Sequence, residues 1–317
     1  MRHRVAGAAA IICLLVLAGC SEQPDGPESD QPAAASTPAQ PDRPDRQDQP
    51  DQKPGPRVQV GAEPDPLESL SDRPSAGNPQ ALAADISLTQ RAVLDATMEQ
   101  SVVRRAAEFQ QLAARMLARG PDAYAEDVLG LLPPAVASAT WAHVEAATLL
   151  DAMSGPQPEL PDWRIVEPPS AGELLGYYRL AQERVGVPWE YLAAVHLVET
   201  RMGRIRGVST AGAQGPMQFL PTTWDIYGKG GDIQDSRDAI LAAARLLDAN
   251  GAPEDMSEAL WHYNPSDNYV GAVMRYAEQM TPRTYRGYWH WRVLYKHANG
   301  TYLLDVGYPD VRPTRVD

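Results

Sequence analysis

A carboxylate at the end of an apolar helix is the first residue that suggests chemistry. The stretch Val187-Pro188-Trp189-Glu190-Tyr191-Leu192-Ala193-Ala194-Val195-His196-Leu197-Val198-Glu199 reads as a helix with Pro188 in its first turn. From Leu192 to Val198 it is apolar nearly all round, so it should be central and buried. Glu199 near its end is costly unless paired or protonated. Desolvation raises a glutamate pKa, which makes the carboxyl group a proton donor near neutral pH. The competing reading is a surface ion pair with Arg201, Arg204 or Arg206. The next segment, Ser209-Thr210-Ala211-Gly212-Ala213-Gln214-Gly215-Pro216-Met217-Gln218-Phe219-Leu220-Pro221, is a small-residue loop entering a helix. Its glycines let backbone approach a ligand closely. Met217, Gln218 and Phe219 set a polar amide between apolar groups, a mixture suited to the apolar faces and polar edges of a sugar. Further on, Ala259-Leu260-Trp261-His262-Tyr263-Asn264-Pro265-Ser266 closes another helical run.

Taken in this order, the three elements resemble the catalytic core of lytic transglycosylases. The resemblance is to the soluble and membrane-bound B-like types, whose catalytic domain has the goose-type lysozyme fold. It covers roughly residues 168–282. It implies cleavage of the β-1,4 bond between N-acetylmuramic acid and N-acetylglucosamine in peptidoglycan, with Glu199 as the single general acid and base. No cofactor or metal is implied. By matched position, Ser209 and Gln218 are implied as substrate-polar or Glu-orienting contacts. Tyr263 and Asn264 are implied near the scissile bond, the Tyr263 hydroxyl aimed at Glu199 or the sugar, and Met217 and Phe219 as lining of the glycan groove. Packing roles compete for Tyr263 and Met217, and a turn or cap role for Ser209. Pro216 stands where many relatives carry another residue. A base among Asp225, Asp232, Asp235 and Asp238 would make the enzyme a hydrolytic muramidase instead. Asp235 and Ser236 read better as helix N-caps. A non-catalytic peptidoglycan-binding scaffold is the alternative outside enzymes.

The elements that must hold these residues are helical. Helices are expected over 170–186, 188–202, 216–226, 235–249, 256–263 and 266–280, giving a lysozyme-like all-α domain over 165–282. Ahead of it, helical periodicity over 85–119 and helices at 122–132 and 135–153 predict an accessory segment, 81–155, whose packing the sequence leaves open. Behind it, Trp289, Trp291, Val293 and Tyr295 alternate with polar residues, as do Tyr302, Leu304 and Val306. Ala298-Asn299-Gly300 between them predicts a β-hairpin with a type I′ turn in a 283–317 extension. The aromatic run from Tyr285 to Tyr295 is either a glycan-stacking platform or, the favoured reading, the face that packs on the helices. His196 and His262 are not spaced as metal ligands and read as structural.

The start of the chain reads as an address. Arg2, His3 and Arg4 precede an apolar run, Ala8 to Ala18, shorter than the about 20 residues that span a bilayer. It fits a signal peptide, 1–19, ending in Leu17-Ala18-Gly19-Cys20, which resembles a bacterial lipobox. Cys20 would then carry lipid and anchor the chain to the outer face of the cell membrane, or to an outer membrane in a two-membrane cell. Residues 21–80 hold 13 Pro and no aromatic residue, and so predict a disordered tether following the lipidated Cys20. Two cysteines, both within the first 20 of 317 residues, exclude a disulfide framework and a Cys-based zinc site. A net charge of −13 argues against nucleic-acid binding, which needs basic patches.

Overall fold

The computed structural model describes residues 65–317. The expected signal peptide, the lipidated Cys20 and the tether up to residue 64 lie outside the described residues. Within 65–317 the chain is mainly helical, with eleven helices and two small antiparallel sheets.

Order begins earlier than expected. The expected tether extends to residue 80, yet Leu67 and Leu70 are buried in the main core. The Asp65 carboxylate accepts from Leu67 N at 2.9 Å and pairs with Arg105, whose other nitrogen donates to Leu67 O at 2.8 Å. Two leucines in an otherwise polar stretch suffice to dock it, and composition averaged over 60 residues hides them.

The periodic run over 85–119 is two helices, α1 (Pro79–Leu94) and α2 (Gln100–Arg119). Asn78 caps α1 through Gln80 N, and Pro79 fills its first turn. The break comes at Asp95, whose carboxylate accepts from both Thr97 N and Thr97 Oγ1. That local turn competes with helix continuation. Then come α3 (Asp122–Gly130) and α4 (Pro134–Met153), with Pro133-Pro134 between them.

Beyond a short strand, β1 (Arg164–Ile165), α5 (Ala171–Val185) leads to α6 (Trp189–Thr200), with every residue from Leu192 to Thr200 buried. Next come β2 (Ile205–Arg206), α7 (Pro221–Tyr227), α8 (Ser236–Ala249), α9 (Met256–Tyr263) and α10 (Asp267–Gln279). Helix α7 starts five residues later than expected, because Gln214 and Phe219 exchange two backbone hydrogen bonds, at 2.8 and 2.9 Å, and close a tight loop.

One apolar core runs from Leu67 through α1, α2, α6, α8, α9 and α10 to Trp291. Helix α4 packs on α10 and α2, and Glu145 of α4 pairs with Arg275 of α10 at 2.8 Å. The first four helices therefore share the core that holds the Glu199 helix.

The expected C-terminal hairpin is present, with shorter strands, a different turn and a third strand added. Trp289 ends a short helix, α11 (Tyr285–Trp289), and Trp291 precedes the strands. β3 (Val293–His297) pairs with β4 (Gly300–Leu304), and β5 (Thr314–Arg315) adds a third strand. The turn is centred on Ala298-Asn299, because His297 pairs with Gly300; the positive φ falls on Gly300 alone, so it is not type I′. A second small core of Ile165, Ile205, Val293, Tyr295, Leu304 and Tyr308 joins the two sheets. Gly307 N donates to Ile165 O at 2.9 Å, tying β1, and through it β2, to the C-terminal end.

Candidate active site

Glu199 sits in the last turn of α6 and is 5% exposed. Its Oε1 accepts the hydroxyl of Tyr269, on α10, at 2.7 Å. The carboxyl thus sits buried at the C-terminal end of α6, with a phenol hydroxyl donating to it. The three arginines that offered a surface pairing are engaged elsewhere. Arg204 meets Glu167 at 3.6 Å and lies over the Trp289 ring, Arg206 donates to Gln234 O, and Arg201 donates to Leu197 O.

The chain leaves Glu199 through a tight reversal. Arg201, Met202 and Gly203 have φ of 53°, 62° and 85°, three successive left-handed residues. Each non-glycine there costs on the order of 1 kcal/mol. Thr200 fastens the reversal: its hydroxyl donates to Pro216 O at 2.6 Å and accepts from Gly203 N at 3.0 Å. Thr200 thus ties the end of the Glu199 helix to the small-residue loop.

In that loop the Ser209 hydroxyl accepts from Ala213 N at 3.0 Å, and Gly212 N donates to Ser209 O at 2.8 Å, so Ser209 shapes a turn. Gly215 is required twice over. Its φ is 75°, and a Cβ there would lie 1.9 Å from the Ile233 carbonyl oxygen. Gln218 is left-handed at φ 49° and its Nε2 donates to Gly215 O at 3.0 Å.

The Tyr263 hydroxyl donates to Met217 O at 2.6 Å, and its ring stacks on that of Tyr269, 6.3 Å apart and 4° from parallel. Phe219 meets Tyr263 and Trp224 edge to face. Asn264 caps α9 and is 4% exposed.

Of the expected residues, Glu199, Tyr263, Met217 and Phe219 are linked through Tyr269 in one contiguous chain of contacts, while Ser209 and Gln218 hold the loop and Asn264 ends α9. The tyrosine whose hydroxyl is seen on Glu199 is Tyr269, while that of Tyr263 braces the loop. Met217 and Phe219 are fully buried and back the site rather than line an open groove. Tyr269 was missed as a site residue. Its signal was a tyrosine on the apolar face of α10, where a buried hydroxyl must find a partner. Thr200 was missed as well, and no sequence signal separates it from any threonine at a helix end.

Three of the four candidate bases hold backbone N–H groups. Asp235 caps α8 through Asp238 N at 2.9 Å, Asp238 accepts from Asp232 N, and Asp232 accepts from Gln234 N. His196 is fully buried, with Nδ1 2.7 Å from the Tyr178 hydroxyl. Burial pulls its pKa down to about 3, so it stays neutral. His262 is exposed and pairs with Glu258. Among the described residues no group of three His, Cys, Asp or Glu side chains is placed to hold a metal ion. Tyr285, Tyr288, Trp291 and Tyr295 are buried, which makes the aromatic run packing rather than an open platform.

Compared with protein-family models, curated proteins and solved structures, the chain finds no match.

Proposed function

We propose that this protein is a lytic transglycosylase of the bacterial cell envelope, cleaving the β-1,4 bond between N-acetylmuramic acid and N-acetylglucosamine in peptidoglycan. The observation that carries this reading is the buried Glu199 carboxyl at the end of α6, held at 2.7 Å by Tyr269 beside the small-residue loop. The motif order of Glu199, Ser209–Pro221 and Tyr263-Asn264, and the mainly helical architecture, support a lysozyme-like catalytic domain.

In this mechanism protonated Glu199 donates to the glycosidic oxygen as the C1–O bond breaks, and positive charge builds on C1 and the ring oxygen. The ionised Glu199 then accepts the proton of the same sugar's C6 hydroxyl as O6 bonds to C1. The carboxyl group ends as it began, no water is consumed, and the product carries a 1,6-anhydro ring. Glycosidases that activate water or form a covalent intermediate need a second carboxylate. Asp235 is taken up as the cap of α8, and Asp232 and Asp238 by backbone N–H groups, which favours the one-carboxylate route over a hydrolytic muramidase. Lipid on Cys20 and a Pro-rich tether would present the domain to the wall from the membrane's outer face, with peptidoglycan strands as its partner.

The direct test is Glu199→Gln. Turnover of purified peptidoglycan falls by about 10³-fold or more, with circular dichroism unchanged. Undiminished turnover in that variant rejects the assignment.

A further inference from the structure

A second cluster of charge begins two residues beyond Glu199. Asp151, near the C-terminal end of α4, is met by Arg119 at 2.6 Å and by Arg115 at 3.3 Å. Lys296 of β3 donates to Asp151 O and Ser154 O, each at 3.2 Å. Arg201 completes the group, close enough that its charge, like that of Arg119, depresses the Arg115 pKa. Burial is the larger cause of that depression, to about 10, and Asp151 opposes it. Two guanidinium groups thus meet the Asp151 carboxylate, Lys296 holds the backbone carbonyl of the same residue, and Arg201 lies near Arg115. Lys296 and Arg201 also sit on the carbonyl ends of α4 and α6, whose dipoles offset about half a charge each. Positive charge therefore exceeds the one carboxylate within this group, and Arg115 and Asp151 keep only 17% and 20% of their side-chain surface. The Arg115 Nε is buried and, among the described residues, has no hydrogen-bond partner.

We propose that Arg115, Arg119, Arg201 and Lys296 around Asp151 form a binding site for an oxyanion, a carboxylate or a phosphate. Guanidinium groups bind such anions through paired N–H donors, and partial burial strengthens each contact. The chain as a whole is acidic, at −13, so the cluster is a local exception rather than a share of a basic surface. Its place along α10 is also defined. Tyr269 reaches Glu199, and Tyr276, two turns on and about 10 Å away by helical rise, is the phenol beside Arg115 and Arg201. If the function proposed above holds, as this step requires, the source of the anion is a peptide-stem carboxylate of the glycan strand. A stem hangs from the muramic acid next to the scissile bond, on this length scale.

The site is tested with inorganic phosphate titrated at fixed ionic strength against chloride, reading the melting temperature of the full protein. Phosphate raises it where chloride does not. Arg119→Met weakens the apparent affinity by about 10-fold or more, and Arg201→Met does the same should the first variant fold poorly. Asp151→Asn, which adds one positive charge, tightens phosphate binding several-fold. A purely structural ion cluster gives the opposite pattern: no phosphate-specific rise and only lost stability in Asp151→Asn. That result overturns the site. The source is then read from turnover of peptide-bearing against peptide-free strands. Arg119→Met reduces the preference for peptide-bearing strands; an unchanged preference removes the stem as ligand. A protein inert on every glycan that still binds phosphate as described would fail the proposed function and keep the site. Normal turnover with no phosphate effect would do the reverse.

Discussion

At the residue scale the account rests on how Glu199 is held. Its Tyr269 partner is a neutral donor, so its removal leaves the carboxyl buried with one hydrogen bond fewer. Tyr269→Phe should lower kcat by about 10- to 100-fold, the equivalent of about 1.5–3 kcal/mol for a bond to a charged acceptor. The cost in folding stability should be near 1 kcal/mol. Steady-state kinetics with a parallel urea melt separates the two, and an unchanged kcat would show that Tyr269 only packs. Gly215→Ala tests the loop. A Cβ would overlap the Ile233 carbonyl oxygen in a backbone conformation that alanine resists, so stability should fall by at least about 3 kcal/mol. A denaturant midpoint close to that of the parent would contradict the loop geometry. Glu199 itself was legible in sequence because a carboxylate on an all-apolar helix is conspicuous. The roles of Tyr263 and Tyr269 were not separable there. Both tyrosines lie on buried helix faces, and which hydroxyl reaches the acid depends on how α9 and α10 cross.

At the element scale, most helices were legible because caps and prolines mark them: Pro133-Pro134 before α4, Asp235 before α8, Ser266 before α10. Misreadings fell where local hydrogen bonding overrides periodicity. Asp95 splits one apolar run into α1 and α2, the Gln214–Phe219 ladder delays α7, and Trp289 alternates like a strand while ending a helix. What could not be read at all was that α1–α4 share their core with α6 and α10, since pairing between distant amphipathic faces leaves no mark in either. The consequence is testable. Deleting residues 65–155 strips α10 of its α4 contacts and opens the main core. The remainder should lose its cooperative thermal transition by near-UV circular dichroism. A sharp transition in the truncated chain would make the first four helices a separate module.

At the scale of the whole molecule, three buried imidazoles bear on the acid stability. Burial holds His143 and His290 at about 4 and His196 at about 3, all below the ordinary 6.5. The unfolded chain takes up these protons below about pH 6.5 and the folded chain does not. Their stabilising effect is therefore complete above that pH and is lost as pH falls toward 4 and 3. Each histidine should contribute up to about 1.4 kcal/mol per pH unit across its window. Urea melts between pH 7 and 4.5 should show that slope, and His143→Gln should remove one proton's worth of it. An unaltered slope would place His143 in a solvated setting. The acidic balance, by contrast, belongs largely to the N-terminal 21–80 segment, which carries −7 of the net −13, and says little about substrate. The central claim concerns the product. Mass spectrometry of the soluble fragments released from purified peptidoglycan should find muramyl ends lighter by one water, the 1,6-anhydro form, and these should vanish with Glu199→Gln. Reducing ends that incorporate solvent oxygen, or no released fragments at all, would contradict it.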